Sequence, residues 1–197
     1  MKQVIYCLVA IVLMSQPLFA QEENVVEKWN TPYPVQAVEG EVFAGFSFPA
    51  DSYHHATAKA SMEFGLALRY NFPNSPFDFG LQVAFTTVQR DIPGTGDYPE
   101  SQTNRILSLT ATGAYNFRQG HKVNPFAGIG IGVGRMDVVG DAPYWVKGTN
   151  ILFVPKIGCE FWGFLRVYAS AHIIRKGFNS LDVGIGFVIG GRKKRMQ

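Results

Sequence analysis

The amino-acid sequence predicts an all-β chain: an eight-stranded antiparallel up-and-down transmembrane β-barrel with its apolar face turned outward. Three observations predict it. Apolar and polar residues alternate with period two in eight segments of roughly ten residues, the length at which a tilted strand crosses a bilayer. The connections between those segments alternate between short and long, as in barrels with turns on one side and loops on the other. The chain also opens on an export signal. Composition removes the competitors. A chain of 197 residues is expected to form one domain, and 47% hydrophobic with 14% aromatic residues excludes disorder. Two cysteines exclude a disulfide-dense scaffold or a Cys-rich zinc module. A net charge of +3 leaves no basic footprint for nucleic acid.

Residues 1–20 read as a signal peptide. Lys2 supplies the positive end, Val4 to Met14 the apolar run, and Ser15-Gln16-Pro17 the break before Leu18-Phe19-Ala20, with cleavage after Ala20. That run is too short for a helix spanning a bilayer, which needs about 20 residues. Cys7 sits inside the run rather than at its end, which argues against a lipoprotein. Cleavage leaves Cys159 as the only thiol, so no intramolecular disulfide is expected. Residues 21–38 carry little periodicity and two prolines, and read as a periplasmic lead-in.

The barrel is expected over residues 39–190, followed by a basic tail at 191–197. Glu41 to Phe48 alternates through Val42, Ala44, Phe46 and Phe48. Ser61 to Tyr70 sets Met62, Phe64, Leu66, Leu68 and Tyr70 against Ser61, Glu63, Gly65, Ala67 and Arg69. Phe77 to Phe85 repeats the pattern, and Asn71 to Pro76 is a turn by composition, so the two segments form a hairpin. Asn104 to Phe117 sets Leu107, Leu109, Ala111, Tyr115 and Phe117 against Ser108, Thr110, Thr112 and Asn116. In Pro125 to Arg135, Ala127, Ile129, Ile131 and Val133 oppose Gly128, Gly130, Gly132 and Gly134. Ile151 to Phe161, Leu165 to Ile174 and Leu181 to Ile189 complete eight strands. Short turns fall at Pro73-Asn74, Gln119-Gly120-His121 and Trp162-Gly163. Longer loops fall at 50–59, 90–101 and 137–149, with a short outer connection near Gly177.

Alternation alone does not say which face is outside. A soluble lipocalin-like carrier of a small apolar ligand hides its apolar face, and a membrane barrel exposes it. Three features choose the membrane. The polar face is rich in glycine (Gly65, Gly80, Gly128, Gly130, Gly132, Gly134, Gly158, Gly184, Gly186), which suits a crowded interior. Its charges pair under hairpin geometry: Arg69 with Asp78, Glu160 with Arg166, His172 with Asp182. Such pairing is what a closed polar interior requires. Aromatics gather at the short turns (Tyr70, Phe72, Phe77, Tyr115, Phe117, Phe161, Trp162, Phe164), like an interfacial girdle.

With these features the chain resembles the small eight-stranded outer-membrane barrels of Gram-negative bacteria, the porin-like or OmpA/OmpX-type family, over about residues 39–190. In the last strand, Asp182, Gly184, Phe187 and Ile189 are similar to the signal read by the barrel-assembly machinery. Family members mostly end on an aromatic residue in that strand, whereas here a further segment with Arg192-Lys193-Lys194-Arg195 follows Ile189. The resemblance implies an outer-membrane location, outer-membrane lipid and lipopolysaccharide as surroundings, and the assembly machinery as partner. It implies no cofactor.

Other candidate sites read as structural. The Gly128 to Gly134 repeat lacks the Gly-x-Gly-x-x-Gly spacing of a nucleotide loop and has no helix after it. His54-His55 with Asp51 reads as a solvated loop rather than a metal site, and Cys159 falls on the lipid-facing side. Some barrels of this size are lipid A deacylases with a His-x-Ser pair facing lipid. Here Ile174 stands where that serine would be, and His172 points inward. Ser170 lies two residues from His172 on the same face, typically about 7 Å along a strand, too far for a nucleophile and its base. No catalytic residue and no metal site is therefore expected. Interiors of eight-stranded barrels are filled by side chains, here Phe43, Glu63, Phe126, Lys156 and Tyr168 among others, so a diffusion pore is not expected. The expected role is structural or surface-interacting, with loops near Tyr53, Tyr98, Tyr144 and Trp145 as contact surface for a ligand. A lipid A-modifying enzyme is the alternative.

Overall fold

A computed structural model describes residues 35–51, 57–72, 75–92, 100–139 and 147–190. The expected signal peptide, nearly all of the lead-in, the basic tail, His54, His55, Tyr53, Tyr98, Tyr144 and Trp145 fall outside those residues. The strands are β1 (Val38–Pro49), β2 (Thr57–Lys59), β3 (Ser61–Asn71), β4 (Phe77–Ile92), β5 (Glu100–Asn116), β6 (Val123–Val139), β7 (Gly148–Phe161), β8 (Leu165–His172) and β9 (Ser180–Ile189). Each pairs antiparallel with its neighbours in the order β2-β4-β3-β1-β9-β8-β7-β6-β5, and a β4–β5 ladder closes the ring. The result is an eight-stranded antiparallel up-and-down barrel, with β2 as a continuation of β3.

The break between β2 and β3 is a β-bulge. Lys59 pairs with Gln89 and Glu63 with Thr86, so three residues on one strand oppose two on the other. Thr87 bridges the interruption: its hydroxyl accepts from Met62 N–H and donates to the Met62 carbonyl, both at 3.0 Å. The ladder also runs further than the alternation suggests. β4 and β5 stay paired to Ile92↔Glu100, taking residues expected in a loop. β-branched Thr86, Thr87 and Val88 favour extension there although strict alternation has ended. Beyond the bulge, Lys59 and Asp91 form an ion pair of 2.6 Å.

The two faces are inverted relative to a soluble protein. Ile151 is 72% exposed, Phe46 63%, Ile131 62% and Leu66 59%, while Glu63, His172 and Asp182 are each 1% exposed. This distribution makes the barrel transmembrane, its apolar belt matched to hydrocarbon. At the short-turn end the outward aromatics form a collar of ring contacts. Tyr70 meets Phe72, Phe77 meets Tyr115, Tyr115 meets Phe117, and Trp162 lies between Phe161 and Phe164, at 5.0–5.9 Å between centroids. Trp162 holds its place at a backbone cost. It and Gly163 both have positive φ (52° and 74°) at the first two positions of the three-residue connection from Phe161 to Leu165, and left-handed geometry typically costs a residue with a Cβ about 1–2 kcal/mol.

Glycines make room for large interior side chains. A Cβ on Gly65 would lie 2.5 Å from the Phe43 ring, one on Gly158 2.6 Å from the Phe126 ring, and one on Gly184 2.5 Å from the Tyr168 hydroxyl. Those rings pack with Ala84 in mid-barrel, and a second apolar cluster of Val88, Ile106, Met136, Val138 and Phe178 fills the long-loop end. Gly65→Val is therefore expected to destabilise the barrel by about 1–3 kcal/mol through overpacking. Gly148→Ala, with nothing within 4 Å of the new Cβ, should be near neutral. Urea unfolding in lipid vesicles measures both.

Candidate functional site

The lumen holds the chemistry-bearing residues because period two turns every second side chain inward. At the short-turn end they form one ion-pair network. Arg69 of β3 reaches Glu39 at 3.1 Å and Glu41 at 3.7 Å on the adjacent β1, and Glu160 of β7 across the lumen at 3.7 Å. Arg166 of β8 reaches Glu160 at 3.3 Å and Glu41 at 3.4 Å, and its guanidinium lies 3.9 Å from the Phe126 ring centroid. All five charged side chains are at most 8% exposed. Below them Asn116 donates to Asp78 at 2.7 Å, and Asn124 donates to Asn116 at 3.0 Å.

The structure sorts the three expected charge pairs differently. Glu160 and Arg166 are direct cross-strand partners, set by the tight Trp162-Gly163 turn. Arg69 and Asp78 are not partners: Arg69 faces Gly80, and Asp78 faces Asn71. The connection closes through the Phe72 N–H to Phe77 carbonyl bond, so the register is two residues later than a turn centred on Pro73-Asn74 gives. Arg69 therefore takes its carboxylates from β1 and β7, and Asp78 takes an amide. His172 and Asp182 do meet, Nδ1 to Oδ2 at 3.2 Å, but diagonally. The direct partners are His172↔Ser180 and Ser170↔Asp182, because the connection at 173–179 places the hairpin centre one residue earlier than Gly177. That connection is fixed by Asp51, whose carboxylate accepts from Gly177 N–H at 2.8 Å and Asn179 Nδ2 at 2.9 Å.

Sequence reasoning did not pair Glu39, Glu41, Glu63 or Lys156. Lys156 donates to Gln82 at 2.7 Å and its ammonium lies 4.6 Å from the Tyr168 ring centroid and 5.3 Å from that of Phe43. Glu63 accepts from the Tyr168 hydroxyl at 3.1 Å, and its other oxygen is 3.7 Å from His172 Nε2. Their inward parity is visible in the sequence, but their partners lie across the lumen or on β1. In β9, Asp182 and Gly184 are buried, while Phe187 and Ile189 are exposed on the belt. Ser170 Oγ makes no hydrogen bond, to His172 or otherwise, so no serine–histidine pair exists there. A space of about 30 Å³ remains between Glu41, Arg69, Gln82, Phe126, Lys156 and Arg166, room for roughly one or two waters.

No protein-family profile and no curated protein sequence matches the chain. Its fold is that of solved small outer-membrane barrels. Neisserial surface protein A (NspA) superposes with a TM-score of 0.52 at 12% identity, over 80% of this chain and 99% of that one. OprG, an outer membrane protein from Pseudomonas aeruginosa, gives 0.49 at 15% identity over 78% and 97%. The outer membrane enzyme PagL gives 0.46 at 17% identity over 77% and 98%. At such identities the likeness is one of architecture.

Arg166→Ala leaves Glu39, Glu41 and Glu160 to share Arg69 alone, and is expected to cost up to about 3–5 kcal/mol, the cost of a buried charge left uncompensated. Arg135→Ala, exposed on β6, should cost almost nothing. Glu160→Gln combined with Arg166→Gln should recover part of the loss, because Arg69 remains beside Glu39 and Glu41. Urea unfolding in vesicles separates the three.

Proposed function

We propose that this chain is an exported, integral outer-membrane protein with a structural or surface-interaction role and a non-conducting interior. The observation that carries the reading is the inverted distribution of side chains: an apolar belt of exposed residues around a lumen closed by ion pairs, aromatic rings and the Val88–Phe178 cluster. A carrier of a small apolar ligand needs a roomy apolar cavity, and the space between Glu41, Arg69 and Lys156 holds about 30 Å³ and is lined in part by charged groups. A lipid A-modifying activity needs its catalytic groups on the lipid-facing surface. His172 is instead buried in the lumen, and Ile174 occupies the position of the serine. The long-loop end, with Tyr53, Tyr98, Tyr144 and Trp145, is the proposed contact surface. Outer-membrane lipid and lipopolysaccharide would surround the belt. The last strand, with Asp182, Gly184, Phe187 and Ile189, would be the segment offered to the barrel-assembly machinery.

Fractionation and heat-dependent gel mobility test the placement. The full chain is expected in the outer-membrane fraction, with a compact band that shifts on boiling; a chain soluble without detergent overturns it. In planar bilayers the wild-type protein should show no steady conductance. Mass spectrometry of lipid A from a deletion strain should match the parent. A lost modification, restored by wild type but not by His172→Ala, would replace this reading with an enzyme.

A further inference from the structure

The lumen contains a second cluster above the ion-pair network, and the network does not account for it. Glu63 of β3, His172 of β8 and Asp182 of β9 each place one ligand-capable atom within 4.8 Å of the other two, with side chains at most 1% exposed. Tetrahedral zinc ligands lie about 3.3 Å apart, from metal–ligand bonds of roughly 2.0–2.2 Å. The 3.7 Å from His172 Nε2 to Glu63 Oε1 is close to that spacing.

Each of the three is held through its other atom. The Tyr168 hydroxyl donates to Glu63 Oε2 at 3.1 Å, and the Ser180 hydroxyl donates to Asp182 Oδ2 at 3.0 Å. His172 is held by Thr86, whose Oγ1 lies 3.4 Å from Nδ1, while Asp182 Oδ2 approaches the same nitrogen to 3.2 Å without a hydrogen bond to it. That outer layer leaves His172 Nε2 and Asp182 Oδ1 buried without a hydrogen bond. Ser170 Oγ, on the direct cross-strand neighbour of Asp182, is also buried and unbonded. Metal sites are built this way, each ligand oriented by an outer partner while its donor atom stays open.

Charge points the same way. Among the described residues, the lumen buries Glu39, Glu41, Glu63, Asp78, Glu160 and Asp182 against Arg69, Arg166 and Lys156. Both arginines are engaged by Glu39, Glu41 and Glu160, and Lys156 donates to Gln82. Besides the His172 imidazole, Glu63 and Asp182 have only the charge of Lys156 to draw on, which they share with Glu41, and buried carboxylates demand fuller compensation than that.

We propose that Glu63, His172 and Asp182 bind one divalent transition-metal ion of the zinc class. One imidazole with two carboxylates suits zinc, iron or manganese better than calcium or magnesium, which prefer all-oxygen shells. Val88 and Phe178 lie two residues beyond Thr86 and Ser180 on the long-loop side, so an apolar plug closes the site from that end. The ion enters before the barrel closes. Once bound it ties β3 to β8 and β9 across β1, the strand that joins the two chain ends of the barrel.

The test refolds the full chain from urea into detergent with zinc chloride or with EDTA. Gel filtration follows, then metal analysis by mass spectrometry. One zinc per folded chain is expected. Retention should fall at least tenfold in His172→Gln and in Asp182→Asn, with folding of each variant confirmed by heat-dependent mobility. It should persist in Glu160→Gln, and in the double loop variant His54→Ala with His55→Ala. No retained zinc on the wild-type chain overturns the proposal, as does a folded His172→Gln that keeps its zinc. If neither lumen variant folds, wild type refolded with cobalt(II) decides: visible d–d bands of a low-symmetry nitrogen–oxygen site support it, and the spectrum of the hexaaquo ion overturns it.

Discussion

Everything in this barrel depends on keeping charge satisfied inside a closed ring of strands. Arg69 is the hub. It bridges carboxylates from β1 and β7, so one side chain holds two walls of the lumen together. Arg166 repeats the bridge from β8. These contacts fix register in a way that apolar packing against lipid does not. A slip of one residue between β1 and β3 would turn Glu39 and Glu41, or Glu63, into the hydrocarbon and bring Val42 or Phe64 inside. Hydrocarbon is indifferent to which apolar side chain it touches. The buried ions are not.

The interior is graded along its axis. Ion pairs and amides occupy the short-turn end, rings and Lys156 the middle, and Val88, Ile106, Met136, Val138 and Phe178 the long-loop end. Glycines on facing strands give way to Phe43, Phe126 and Tyr168, so a narrow ring of eight strands accommodates aromatic rings without an open channel. Outside, the aromatic collar lies at the end of the short turns, and a separate outward ring pair, Phe64 with Phe85, lies toward the long-loop end.

The sequence made legible whatever depends on neighbours along the chain. Period two marks the eight strands and sorts inward from outward residues, since the pleat admits no other arrangement. Glu160 and Arg166 were readable as partners because a short turn centred on Gly163 leaves one register. The same logic misplaced Arg69, because the connection after Asn71 is centred one residue later than Pro73-Asn74. It also placed His172 and Asp182 directly opposite when they meet on the diagonal. What hairpin reasoning does not reach is contact through space. Glu160 touches Arg69 from the far side of the lumen, and Glu41 receives Arg166 from a strand more than a hundred residues later. The bulge at Ala60 was hidden for another reason: Thr57 to Lys59 is too short and polar to show alternation and read as part of a loop.

The pairing of β1 with β9 has a consequence for the order of folding. Gly40 and Ile189 are partners although nearly the whole barrel separates them along the chain. Every other ladder joins strands that are consecutive, apart from the short β2, and can zip from its own turn. Loop-closure entropy delays the contact with the longest separation, so this ladder forms last. Until it does, the chain is an open sheet with two bare edges, and water still solvates the lumen charges. The slow step of folding and the desolvation of Arg69, Arg166 and their carboxylates are then one event. A substitution in the charge network, far from any turn, should therefore set the rate at which the ring shuts while leaving the hairpins to form at their own pace.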